Sequence, residues 1–127
     1  MQRDATTVFL ADDSLPIRER VAELLGHGAC RVVGEAATPQ ACIDGILTSH
    51  PDVVVLDVQL EGGTGLQVLK AVRSAAPEIA FVVFSNNAQP AYRKRYLAAG
   101  ALCFLDKSSE FDQLPQAVAG AAPHPTH

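Results

Sequence analysis

No apolar run in this chain approaches the roughly 18 residues that a membrane-spanning helix needs. The opening, MQRDATTVFLADD, carries an apolar stretch too short and too soon interrupted by acid to read as a secretory signal. These absences place the protein in the cytoplasm, with no membrane partner. Cysteine is sparse: Cys30, Cys42 and Cys103 form an odd set without CxxC spacing. All three read as small buried hydrophobes of a reducing compartment. His27, His50, His124 and His127 show no metal-ligand spacing. Positive charge is not in excess either. The formal net charge is -4, so the electrostatic footprint of a nucleic-acid binder is missing and direct nucleic-acid binding is not expected. Arg93-Lys94-Arg95 is a local exception and reads as a solvated helix face.

What is present suits one folded domain. The chain has 127 residues, 48% hydrophobic and 19% charged, enough for a single core and too apolar for disorder. Five short apolar segments recur: Thr7–Ala11, Cys30–Glu35, Val53–Asp57, Ala80–Ser85 and Ala101–Leu105. The central ones are nearly continuous, which favours strands buried on both faces, as in a parallel sheet.

Helical punctuation lies between them. Ser14 with Pro16 marks a first start, Ile17, Val21, Leu24 and Leu25 keep helical spacing, and Gly26 and Gly28 can end it. Thr38-Pro39 repeats the start before Ile43, Ile46 and Leu47. Leu66, Leu69 and Val72 follow Thr64, and Pro77 closes that helix. A fourth helix is predicted over about 90–99, ending at Gly100, and a fifth over about 110–119. Strand alternating with helix five times implies right-handed crossovers and a doubly wound α/β sheet. The domain is expected over 1–120, with 121–127 a flexible tail.

In such sheets ligands sit beyond the carboxyl ends of the strands. The first strand runs into Asp12-Asp13, the third ends on Asp57, the fourth on Ser85, and the fifth leads to Asp106-Lys107. Each alone reads as a cap, a turn residue or a solvated side chain. Their joint placement at one edge is harder to dismiss. Two unit charges about 4 Å apart repel by roughly 4 kcal/mol at an effective dielectric near 20, so gathered carboxylates call for a cation. Oxygen ligands favour a hard ion such as Mg²⁺. An acid nucleophile, a divalent ion, an ammonium and a hydroxyl are the parts that phosphoryl transfer needs.

On these residues the chain resembles the receiver domain of two-component response regulators over nearly its whole length. The match rests on Asp12-Asp13, Asp57 after VVVL, Ser85 after AFVVF, and Lys107 in FLDKS. The resemblance implies a flavodoxin-like fold with a five-stranded parallel sheet, order 2-1-3-4-5. It implies that Asp57 accepts a phosphoryl group from a phosphohistidine on a sensor histidine kinase or phosphotransfer protein. Asp13, Asp57 and the backbone carbonyl of Gln59 would ligate Mg²⁺ directly, and Asp12 through a metal-bound water. Ser85 would bond the phosphoryl oxygen, Lys107 would pair with it, and Phe104 would be a switch aromatic following Ser85. Phe104 reads equally well as plain core. The downstream partner would be a protein meeting the face of the fourth helix, fifth strand and fifth helix, where Arg93, Lys94, Arg95 and Tyr96 lie. Such a domain is no enzyme beyond its own phosphorylation and dephosphorylation.

Some positions depart from the family's pattern. The loop VQLEGGTG has Gly62, Gly63 and Gly65 but no proline, so a more pliant loop is expected. Ser85 stands where threonine is common, and Asn86 where Ala or Gly is usual. Gln59 and Asn87 are amides able to orient water, which predicts a short-lived phosphoryl state. Asn86 is the support for a rival reading, a receiver-like module that binds a partner without phosphorylation. Enzymes of similar architecture fit less well. A haloacid-dehalogenase-type phosphatase wants an acid, and a cobalamin module a histidine, where Gln59 stands. GxxxxGK followed by Ser or Thr does not occur, and ADDSLP is a poor FMN loop.

Overall fold

The computed structural model describes residues 5–28 and 30–121. In chain order the elements are β1 (Thr6–Ala11), α1 (Leu15–Gly26), β2 (Cys30–Ala36), α2 (Pro39–Ser49) and β3 (Val53–Leu56). A small hairpin, β4 (Gln59–Leu60) and β5 (Gly63–Thr64), comes next. It is followed by α3 (Gly65–Ala75), β6 (Ala80–Ser85), α4 (Pro90–Ala98), β7 (Cys103–Asp106), a 3-10 turn (Phe111–Gln113) and α5 (Leu114–Ala121). The main sheet is parallel throughout, in the order β2-β1-β3-β6-β7. Counted along that sheet's own strands this is 2-1-3-4-5, the flavodoxin-like arrangement.

Alternation along the strands splits the core into two layers. Phe9, Val54, Leu56, Phe81 and Val83 pack with Ile46 of α2 and Leu69 and Val72 of α3. Val8, Leu10, Val53, Val55, Val82 and Phe84 face Val21 and Leu25 of α1 and Leu114 and Val118 of α5. Each such side chain gains about 1.5–3 kcal/mol on burial, so both faces of β3 hold the sheet rigid. The helices begin where the sequence signals them. Ser14 Oγ accepts from Ile17 N at 3.4 Å and Thr38 Oγ1 from Ala41 N at 3.2 Å.

Several boundaries shift for local reasons. The last strand starts at Cys103 rather than Ala101, because the Ala101 amide donates to the Tyr96 carbonyl (3.0 Å) in finishing α4. The fifth helix starts at Leu114: Pro115 has no N–H to continue an α-helical ladder backward, and the residues before it form a 3-10 turn. Ala121, counted with the tail in the sequence, closes α5 and is buried; 122–127 lie outside the described residues. Of the cysteines only Cys42 is fully buried; Cys30 and Cys103 head the two edge strands and are half-exposed.

The segment after β3 forms the hairpin, with Gly62 at φ +81° in its turn. Thr64 N donates to Gln67 Oε1 at 2.8 Å as α3 begins. Gly63 and Gly65 also have positional duties, since a Cβ at either would meet neighbouring atoms.

Candidate functional site

Each chemistry-bearing residue lies at or just beyond the last rung of a strand, and backbone hydrogen bonds reach out to fix it. Asp12 N donates to Ala36 O of β2 (3.2 Å), Asp57 N to Ala11 O of β1 (2.9 Å) and Lys107 N to Ser85 O of β6 (3.0 Å). Ser85 itself pairs with Asp106 in the ladder. The register that builds the core therefore sets the site as well.

The side chains converge. Lys107 Nζ donates to Asp57 Oδ2 at 3.0 Å and lies 2.6 Å from Asp12 Oδ2. Asp12, Asp57, Ser85 and Lys107 are all buried. Burial raises the Asp12 pKa, against the opposing pull of Lys107 and of the Ser14 amide. For Lys107 burial acts downward, but Asp57 and Asp12 outweigh it and the net direction is up, so the ammonium is held charged. Among the described residues no buried side-chain nitrogen or oxygen lacks a hydrogen-bond partner.

Asp13 is exposed at the rim. One carboxylate oxygen from each of Asp12, Asp13 and Asp57 lies within 4.8 Å of the others. Three carboxylates face a single ammonium, an excess of negative charge that a hard divalent cation could offset. The donor set is all oxygen, which fits such an ion and suits softer metals poorly.

Above the cluster opens a cleft of about 360 Å³, lined by Asp13, Asp57, Ser85 and Lys107 together with Ser14, Ile17, Gln59, Asn86 and Asn87. Ser85 Oγ accepts from Asn87 N at 3.0 Å, which leaves its hydroxyl proton free to be donated. Phe104 does not line the cleft. It packs edge-on against Tyr96, ring centroids 6.1 Å apart, on the core side of β7.

Two residues of α4 depart from a solvated face. Arg93 Nη1 donates to the Phe104 carbonyl at 2.7 Å, and its guanidinium lies 5.1 Å from that ring's centroid. Tyr96 is buried, and its hydroxyl donates to the Val58 carbonyl at 3.3 Å. Burial pushes the Tyr96 pKa up to about 12. Lys94 and Arg95 stay exposed. Sequence reasoning did not single out Arg18, whose side chain bonds the Asp12 carbonyl and Glu35.

A family model for the response regulator receiver domain matches residues 8–119. The probable transcriptional regulatory protein NarL of Mycobacterium tuberculosis is 34% identical over 122 residues, covering 95% of this chain and 56% of that protein. The transcriptional regulatory protein DesR of Bacillus subtilis is 27% identical, covering 88% of this chain and 56% of that protein. The chain thus spans little more than half the length of these curated relatives. Among solved structures, the signal receiver domain of the Mycobacterium tuberculosis NarL superposes with a TM-score of 0.86 at 34% identity, over 93% of this chain and 96% of that one. The response regulator domain of Thermotoga maritima CheB gives 0.84 at 23% identity, over 92% and 96%, a likeness of fold.

Proposed function

The chain belongs to the response regulator receiver domain family, and from that premise we propose that it is a phosphorylation-dependent switch whose phosphoacceptor is Asp57. The observation that carries the reading is the buried Lys107 ammonium bridging Asp12 and Asp57 at the floor of the cleft. A carboxylate so held is rigid, shielded and open to a donor from one side.

In the proposed step an Asp57 oxygen attacks the phosphorus of a phosphohistidine. The O–P bond forms as the P–N bond breaks, and the electron pair leaves on the imidazole nitrogen. The Ser85 hydroxyl donates a hydrogen bond to a phosphoryl oxygen, and Lys107 pairs with another. Asp12, Asp13, Asp57 and the backbone carbonyl of Gln59 would hold Mg²⁺. When bound, the ion supplies positive charge against the crowded carboxylate and phosphoryl oxygens. The modification would favour whichever conformation bonds the phosphoryl group better, and a protein target would read that shift. The donor is a sensor histidine kinase or phosphotransfer protein, and the domain's own chemistry ends at its phosphorylation and dephosphorylation. Residues 1–120, with Ala121 closing the last helix, make up the signalling unit in this reading, and it works in the cytoplasm.

Incubation with labelled acetyl phosphate and Mg²⁺ is expected to give one hydroxylamine-labile phosphoryl group per chain, lost when EDTA is added first. No incorporation at saturating Mg²⁺ would overturn the reading in favour of a module that binds without phosphorylation. Gln59 and Asn87 line the same cleft, where an amide can orient the hydrolytic water. Gln59→Ala is therefore expected to lengthen the phosphoryl lifetime severalfold in a decay time course. An unchanged lifetime would remove Gln59 from that role.

A further inference from the structure

Arg18, on the first turn of α1, takes no part in the proposed chemistry, yet it grips the backbone of a residue that does. Its Nη1 donates to the Asp12 carbonyl and its Nε to Glu35 Oε1 on β2, each at 2.6 Å. The Arg18 side chain is 14% exposed and its bond to the Asp12 carbonyl is partly buried, while Glu35, its anchor, is 41% exposed. Asp12 is held at its remaining polar atoms too: its amide donates to Ala36 O at 3.2 Å, Oδ1 accepts from Ser14 N at 2.9 Å, and Oδ2 meets Lys107. The sheet ladder has ended at Asp12, and its carbonyl is taken by a side chain from a helix rather than by a strand.

We infer that Arg18 is a positioning residue for the metal site: anchored on Glu35, it fixes the Asp12-Asp13 peptide and thereby the approach of both carboxylates to Asp57. The inference rests on the reading that this acidic cluster holds Mg²⁺. The planar guanidinium presents two donors in a fixed fork, so it can satisfy a carboxylate and a carbonyl together. A lysine ammonium at the same place keeps the charge but not that geometry.

Charge and position predict opposite signs. Arg18 is a cation near the cluster, so if only Coulomb repulsion mattered its removal would tighten metal binding. If it acts by orienting the ligands, its removal weakens binding, and groups supporting metal ligands in this way are worth about 10–100-fold in affinity.

Calorimetric titration of Mg²⁺ into the unphosphorylated chain separates the two, with thermal unfolding run in parallel to confirm that each variant is folded. Arg18→Ala is expected to bind Mg²⁺ about tenfold more weakly than wild type. Arg18→Lys is expected to weaken binding in the same direction, since it retains the charge and loses the fork. Should Arg18→Ala not fold, the lysine variant alone decides, because a charge effect predicts no change for it. Equal or tighter binding by a folded variant overturns the inference and leaves the functional reading standing. No Mg²⁺ binding by wild type overturns both.

Discussion

Asp57→Asn is expected to reduce phosphoryl incorporation from acetyl phosphate to background while the domain stays folded. The amide has no carboxylate oxygen to form the acyl phosphate, so the loss is complete rather than graded. Folding is spared because Asn matches Asp in shape and its Oδ1 can still accept from Lys107 Nζ, which now lies 3.0 Å from Asp57. Two changes in stability then oppose each other. A charge-assisted hydrogen bond weakens to a neutral one, and the repulsion between Asp57 and the buried Asp12 disappears. Both are of order 1 kcal/mol, so the unfolding free energy in urea is expected to stay within about 1 kcal/mol of wild type. Stoichiometric label on the folded Asp57→Asn protein would place the acceptor elsewhere.

Gly65→Ala should be the more damaging change to the fold itself. In an exposed helix interior, Gly to Ala stabilises by roughly 1 kcal/mol. At Gly65 the sign reverses. A Cβ built there falls on the Asp57 carbonyl oxygen and comes within 3.1 Å of Leu56 Cγ. The obstacle is backbone, which cannot swing aside as a flexible side chain can. Gly65 N also donates to Val58 O at 2.8 Å, so the start of α3 cannot lift away without losing that bond. The unfolding free energy is expected to fall by roughly 2–4 kcal/mol. Labelling should slow as well, because the peptide that must move is the one carrying Asp57. Gly120→Ala is the control: Gly120 sits exposed in α5 with nothing within 4 Å of an added Cβ. It should be neutral or slightly stabilising. A Gly65→Ala protein as stable as wild type would show that the close approach carries no weight.

The two variants divide what can be read from the chain from what cannot. Asp57 was legible because a charged residue at the end of four buried apolar ones has few cheap explanations. The same logic found Asp12, Asp13, Ser85 and Lys107, since each follows a strand whose hydrophobicity announces it. Gly65 was seen, but as a source of looseness. That it marks a backbone-to-backbone contact with Asp57 follows from where α3 docks, which no local pattern encodes. The hairpin of β4 and β5 escaped notice for a related reason: two-residue strands carry no period to detect.

By itself the sequence determined the alternation of strand and helix, the parallel sheet and the set of polar residues delivered to its carboxyl edge. These depend on periodicity and on local capping, which neighbouring residues specify. Only the tertiary structure decided that Lys107 spans Asp12 and Asp57, that Arg18 and Glu35 grip the acidic turn, and that Tyr96 turns inward to the Val58 carbonyl. Each of those contacts joins residues on different elements. It comes into being through sheet register and helix docking, which the whole core fixes cooperatively.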